Sequence, residues 1–159
     1  MDMKKYILLL MAALFLVACG DAETKSKEKE VTTEEQKELT TDEQIKNKIT
    51  ELVEDERGIK INEIKVVENF SDDSDGGYNA LIHLVFDIQN RPKTAKGAIN
   101  AITDRLGANL AGTDGLENAT FFWEVPYIHE GDNIIKIGAK QEGGKMYRVE
   151  EWYNGHYFE

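Results

Sequence analysis

From residue 78 to residue 89 the side chains alternate with period two. Tyr78, Ala80, Ile82, Leu84, Phe86 and Ile88 fall on one side, and Asn79, His83, Asp87 and Gln89 on the other. Such a stretch forms a strand with one face against a core and one toward solvent, so another layer must cover its apolar side. The flanking sequence supplies that layer. Ile45, Ile49, Leu52 and Val53 recur at i, i+4, i+7 and i+8 behind Thr41-Asp42-Glu43-Gln44, whose Thr and Gln have capping-box spacing, and Gly58 closes this first helix. Pro92 suits the first turn of a second helix with the stripe Ala95, Ile99, Ile102, Leu106 and Leu110, ending at Gly112. Gly97 and Gly107 weaken that helix in isolation, so it needs a sheet to pack on.

The remaining strands follow from the same period. Ile59, Ile61, Ile64 and Val66 predict a strand bent or bulged near Asn62-Glu63, and the acidic run from Ser71 to Gly77 predicts the turn of a hairpin. Three further strands are expected near 118–128, 133–140 and 145–153, joined by His129-Glu130-Gly131-Asp132 and by Glu142-Gly143-Gly144. The order α-β-β-α-β-β-β predicts an α+β domain over residues 41–159, with two helices packed on one face of a mainly antiparallel sheet. A stretch of this length can bury such a core without staples.

The N-terminus has a different character. Lys4-Lys5 is followed by an uncharged apolar run over residues 6–18, too short to remain as a spanning helix but matching the charged and apolar regions of a secretory signal. It ends in Leu16-Val17-Ala18-Cys19, and Cys19 is the single cysteine of the chain. This tetrapeptide resembles the lipobox of bacterial lipoproteins. The resemblance implies cleavage between Ala18 and Cys19, a diacylglyceryl thioether on the Cys19 thiol, and a protein anchored by lipid at the extracytoplasmic face of the cell membrane. Two acyl chains on one residue hold firmly where one binds reversibly. Residues 20–40 are dense in mixed charge and poor in apolar side chains, which predicts a disordered tether reaching roughly 70 Å at about 3.4 Å per residue. The expected organisation is therefore a cleaved signal over 1–18, lipidated Cys19 with its tether over 19–40, and the folded part over 41–159.

Charge and composition then remove function classes. With 19 Lys and Arg against 30 Asp and Glu, the formal charge is −11, and the sequence shows no concentrated basic surface, so nucleic acid is not an expected partner. One cysteine leaves no disulfide framework and no cysteine-cluster metal site. Acyl transfer needs an activated nucleophile, but the serines are Ser26 in the tether and Ser71 and Ser74 in the acidic turn. His129-Glu130-Gly131-Asp132-Asn133 begins like a zinc motif and lacks its second histidine, while the stretch from Ala139 to Lys145 has a phosphate loop's final Gly-Lys without its first glycine, and Met146 follows where a hydroxyl is needed. Asp72, Asp73 and Asp75 resemble the start of a calcium loop, but Ile82 stands at the twelfth position from Ser71, where a bidentate Glu belongs. No cofactor and no metal are expected.

One bias stands above background. Phe121, Phe122, Trp123, Tyr127, Tyr147, Trp152, Tyr153, Tyr157 and Phe158 crowd the C-terminal part of the chain. Neighbours along a strand point to opposite faces, so Phe121 and Trp123 share one side and Phe122 takes the other with Glu124. A sheet face left without a second layer would present rings beside Glu124, Arg148 and Glu150. The rings either fill the core and pair across strands, or, on an uncovered face, make Trp123, Trp152 and Tyr153 the candidate contact residues of a non-catalytic binding module, with Glu124 and Arg148 orienting the ligand. An envelope protein, a peptide or a glycan would be the partner. The alternatives are an envelope hydrolase using a Glu/Asp pair, and an accessory subunit of a membrane assembly.

Overall fold

The computed structural model describes residues 39–158 except Asp73 and Asp75, so the signal segment, Cys19 and almost all of the tether lie outside the described residues. The described chain runs α1 (Thr41–Glu54), β1 (Ile59–Glu68), β2 (Tyr78–Phe86), α2 (Pro92–Leu110), β3 (Leu116–Val125), β4 (His129–Glu142), β5 (Lys145–Tyr153) and α3 (Gly155–Phe158). The five strands form one sheet in sequence order. The α+β class holds, with two corrections to the finer expectation. The sheet is mixed, because β2 and β3 pair in parallel while the other neighbours are antiparallel. A third, short helix follows β5. The parallel pair is a consequence of α2: its 19 residues span about 28 Å, enough to carry the chain back along β2 so that β3 starts from the same end.

The helix α1 buries Ile45, Ile49 and Val53, one stripe four residues apart. Its cap lies one residue earlier than the sequence reading placed it. Thr40 is the N-cap, and its N–H donates to the Glu43 carboxylate at 3.0 Å. Glu43 is the charged acceptor of that first turn and outcompetes the Gln44 amide, which instead donates to the Leu39 carbonyl. Gly58 turns the chain into β1 at φ 75°, and a Cβ there would fall 2.4 Å from Cγ1 of Ile88.

In β1 the expected irregularity is present: Ile61 stands opposite Leu84 and Glu63 opposite His83, leaving Asn62 as the extra residue. The bulge shifts the inward phase from odd to even positions, so that Ile59 and Ile64 are both buried. In β2 the buried residues are Ala80, Ile82, Leu84 and Phe86, and the strand stops short of Ile88. Ala95, Ile99, Ile102, Leu106 and Leu110 of α2 meet these and the α1 stripe in one core. The connection between β3 and β4 is also corrected. It lies at residues 126–128, because Pro126 has no N–H for the ladder and the Ile128 N–H closes a turn on the Val125 carbonyl at 2.9 Å. His129 to Asp132, read as a loop, opens β4.

Candidate functional site

The five residues singled out from sequence are not brought to one place. Trp123 is 0% exposed, and its indole N–H donates to Thr103 Oγ1 at 3.0 Å. This overturns its reading as a contact residue, since a ring that joins β3 to α2 inside the core offers nothing to a ligand. Glu124 lies on the opposite face, where its carboxylate accepts the Gly131 N–H at 2.9 Å and steadies the start of β4. Trp152 is also on that outward face, opposite Lys136, and is 47% exposed. Arg148 and Tyr153 point to the helix side. Simple alternation puts 148, 150 and 152 on one face, but Gly138 pairs with Glu150 and Ala139 with Arg148, so Val149 is an extra residue. That single bulge reverses the facing of everything before it.

The outward face carries the strand residues that no described helix covers. One row across it reads Glu63, His83, Phe122, Lys136 and Trp152 in register. The His83 and Phe122 rings stack with centroids 4.5 Å apart and planes 8° from parallel. The next row reads Lys65, Leu81, Thr120, Gly138 and Glu150, where Gly138 leaves a low point that the Glu150 side chain overhangs. Val67, Tyr147 and Val149 add exposed apolar surface. Four lysines of this face are neutralised within it or at its rim, Lys60 by Asp87, Lys65 by Glu63 at 2.8 Å, Lys136 by Glu150 at 2.7 Å and Lys140 by Glu142 at 3.7 Å, and Lys145 stands exposed at the β4–β5 turn. The Lys65 ammonium holds the Glu63 carboxyl below its ordinary value. The result is a ring-bearing surface with little net charge.

On the helix side, Arg148 clamps β5 to α2. Its guanidinium donates to Asp104 and Glu151 and reaches the Asn100 carbonyl at 3.4 Å. Burial lowers the guanidinium's proton affinity, and the hydrogen bonds and charges of Glu151 and Asp104 more than reverse this, so Arg148 is held charged. The Tyr153 hydroxyl donates to Asn100 Oδ1 at 2.8 Å and lies 3.0 Å from Glu151, while Lys96 Nζ stands 3.8 Å from the Tyr153 ring centroid. Burial is the main cause that raises the Tyr153 hydroxyl above its usual value. These groups satisfy one another, so Arg148 positions β5.

Sequence reasoning missed two things. The alternation puts His83 on the solvent side of its strand, and only the β2–β3 register reveals its stack on Phe122. The chain also carries a small basic surface that the overall charge conceals: Arg91, Lys93 and Lys96 line one groove at the start of α2. Three cations within six residues of an acidic chain were the signal for it.

Among the described residues no group of three or more His, Cys, Asp or Glu is arranged to hold a metal ion, and no helix is long and apolar enough to cross a membrane. No protein-family model, curated protein or solved structure matches this chain.

Proposed function

We propose that this chain is a non-catalytic binding module, held by lipid on Cys19 at the extracytoplasmic face of a bacterial membrane, that presents its outward sheet face to an envelope protein. One observation carries the reading. The face leaves Trp152, Tyr147, Val149 and Val67 exposed beside the His83–Phe122 stack, while Lys60, Lys65, Lys136 and Lys140 stand against carboxylates. Aromatic rings in a surface of low net charge are the composition of the buried centre of a protein interface, where unpaired charge is costly and rings contribute most. The tether expected from the sequence over residues 20–40 supports the same reading, since a fully extended reach of about 70 Å would let the folded part meet a partner away from the bilayer. The anchor rests on the lipobox resemblance of Leu16-Val17-Ala18-Cys19.

Two measurements separate the halves of this reading. Cells given a labelled fatty acid should label the parent chain and not Cys19→Ala, and a labelled Cys19→Ala chain would remove the anchor. Affinity capture from intact cells should recover the same envelope protein with the parent chain and lose it with Trp152→Ala. Equal recovery with both would move the partner surface elsewhere.

A further inference from the structure

A groove of about 750 Å³ runs between the first turns of α2 and the short helix α3. Arg91, Lys93 and Lys96 line it, Tyr157 and Phe158 form a wall, and among the described residues no carboxylate lines it. At Gly97 an added Cβ would meet nothing within 4 Å, so the groove is open along that side. Among the described residues Arg91 and Lys93 stand in no ion pair, whereas Lys96 lies over the Tyr153 ring.

These cations are where fold stability does not want them. A helix N-terminus carries partial positive charge, so acids stabilise its first turn and bases oppose it. The helix α1 follows the rule with Asp42 and Glu43, but α2 places no acid in its first turn. With 30 acidic residues available to the chain, a basic cluster at this point answers to something other than folding.

We propose that this groove binds a small soluble phosphate monoester bearing a ring, a site separate from the outward sheet face and independent of the function proposed above. Arg91 presents a planar fork that matches phosphate oxygens, Lys93 and Lys96 add point charges around a dianion, and Tyr157 and Phe158 give the ring an apolar wall. The groove has the size and mixed lining of a small-molecule site. A phospholipid headgroup such as phosphatidylglycerol offers a singly charged diester without a ring, a poorer match to three cations and an aromatic wall than a dianionic aryl monoester.

The test is calorimetric titration of the full-length chain in neutral detergent at low salt, with phenyl phosphate as the probe. Inorganic phosphate, phenol and phosphatidylglycerol vesicles are the comparisons. Saturable binding of phenyl phosphate is expected, with phenol and inorganic phosphate each weaker by about tenfold or more. The double variant Arg91→Gln/Lys93→Gln should lose about tenfold or more in affinity, and Gly97→Leu, which fills the open side, should do the same. Both variants should melt no lower than the parent, because the first removes misplaced charge and the second replaces a helical glycine. Absence of saturable binding, unchanged affinity in both variants, inorganic phosphate binding as well as the ester, or stronger binding to the vesicles would each overturn the proposal.

Discussion

The two faces of the sheet use the same kinds of side chain to opposite ends. On the helix side Trp123 donates to Thr103, Arg148 bridges Asp104 and Glu151, and Tyr153 bonds Asn100, so each of these three side chains is tied into the fold. On the outward side Trp152, Tyr147 and Val149 are 47%, 49% and 64% exposed, and the nearby lysines are matched only by surface carboxylates. The difference teaches that residue type does not tell a structural ring from an available one. Facing does, and facing is set by where the ladder slips.

The two tryptophans test that contrast most strongly. Trp123→Ala should lower unfolding stability by about 3–5 kcal/mol, as for a large ring removed from a closed core, whereas Trp152→Ala should change it by about 0.5 kcal/mol or less. Urea denaturation of both variants measures the gap. A comparable loss from Trp152→Ala would mean that its ring is structural and that the outward face is not free.

The two basic residues come next. Arg148→Gln should cost about 1–2 kcal/mol, because it removes the mostly covered guanidinium that ties Asp104 of α2 to β5, while Lys136→Gln should cost under about 1 kcal/mol. Thermal melts of the pair would sharpen the comparison, and equal costs would break it.

A pH series isolates the Arg148 clamp with a smaller effect. The Arg148 hydrogen bond, foremost, holds the Glu151 carboxyl below its ordinary value of 4.5. The unfolded chain therefore takes up this proton at higher pH than the folded one. The contribution is present in full above about pH 4.5 and is lost as pH falls through the depressed folded value. Stability measured below pH 4.5 should decline less steeply in Arg148→Gln than in the parent chain. Identical slopes would show that the pair adds nothing to stability.

The smallest effects belong to the helix starts. Lys93→Glu should raise stability by about 0.3–1 kcal/mol, and Glu43→Lys should lower it by at least as much, because it reverses the charge of the turn and also removes the acceptor of the Thr40 N–H. Differential scanning calorimetry at low salt would read both. A loss from Lys93→Glu would mean that this lysine serves the fold.

Much of the architecture was legible because hydrophobic period is set by burial. The stripes of α1 and α2, the alternation in β2 and the bulge near Asn62 all appear where the sequence places them. The faces of Phe121, Phe122, Trp123 and Glu124 were legible for the same reason. What was not legible depends on pairing between strands. Nothing local in Arg148-Val149-Glu150 announces a bulge, since it arises from the match of β5 to β4 at Gly138 and Ala139, so Arg148 was assigned to the wrong face. The end of β3 was misplaced for the converse reason: apolar side chains continue through Tyr127 and Ile128, while the missing N–H of Pro126 breaks the ladder. The groove escaped notice because it needs α3, and α3 is too short to show a period.

The central claim is that the outward face, and not the outer helix surface, meets a partner in the cell. A photo-crosslinking residue placed at position 147 of the anchored chain, and in parallel at exposed position 47 on α1, addresses it directly. A discrete adduct with one envelope protein is expected from position 147, and background alone from position 47. Adducts of equal yield from both positions, or from position 47 only, would contradict it.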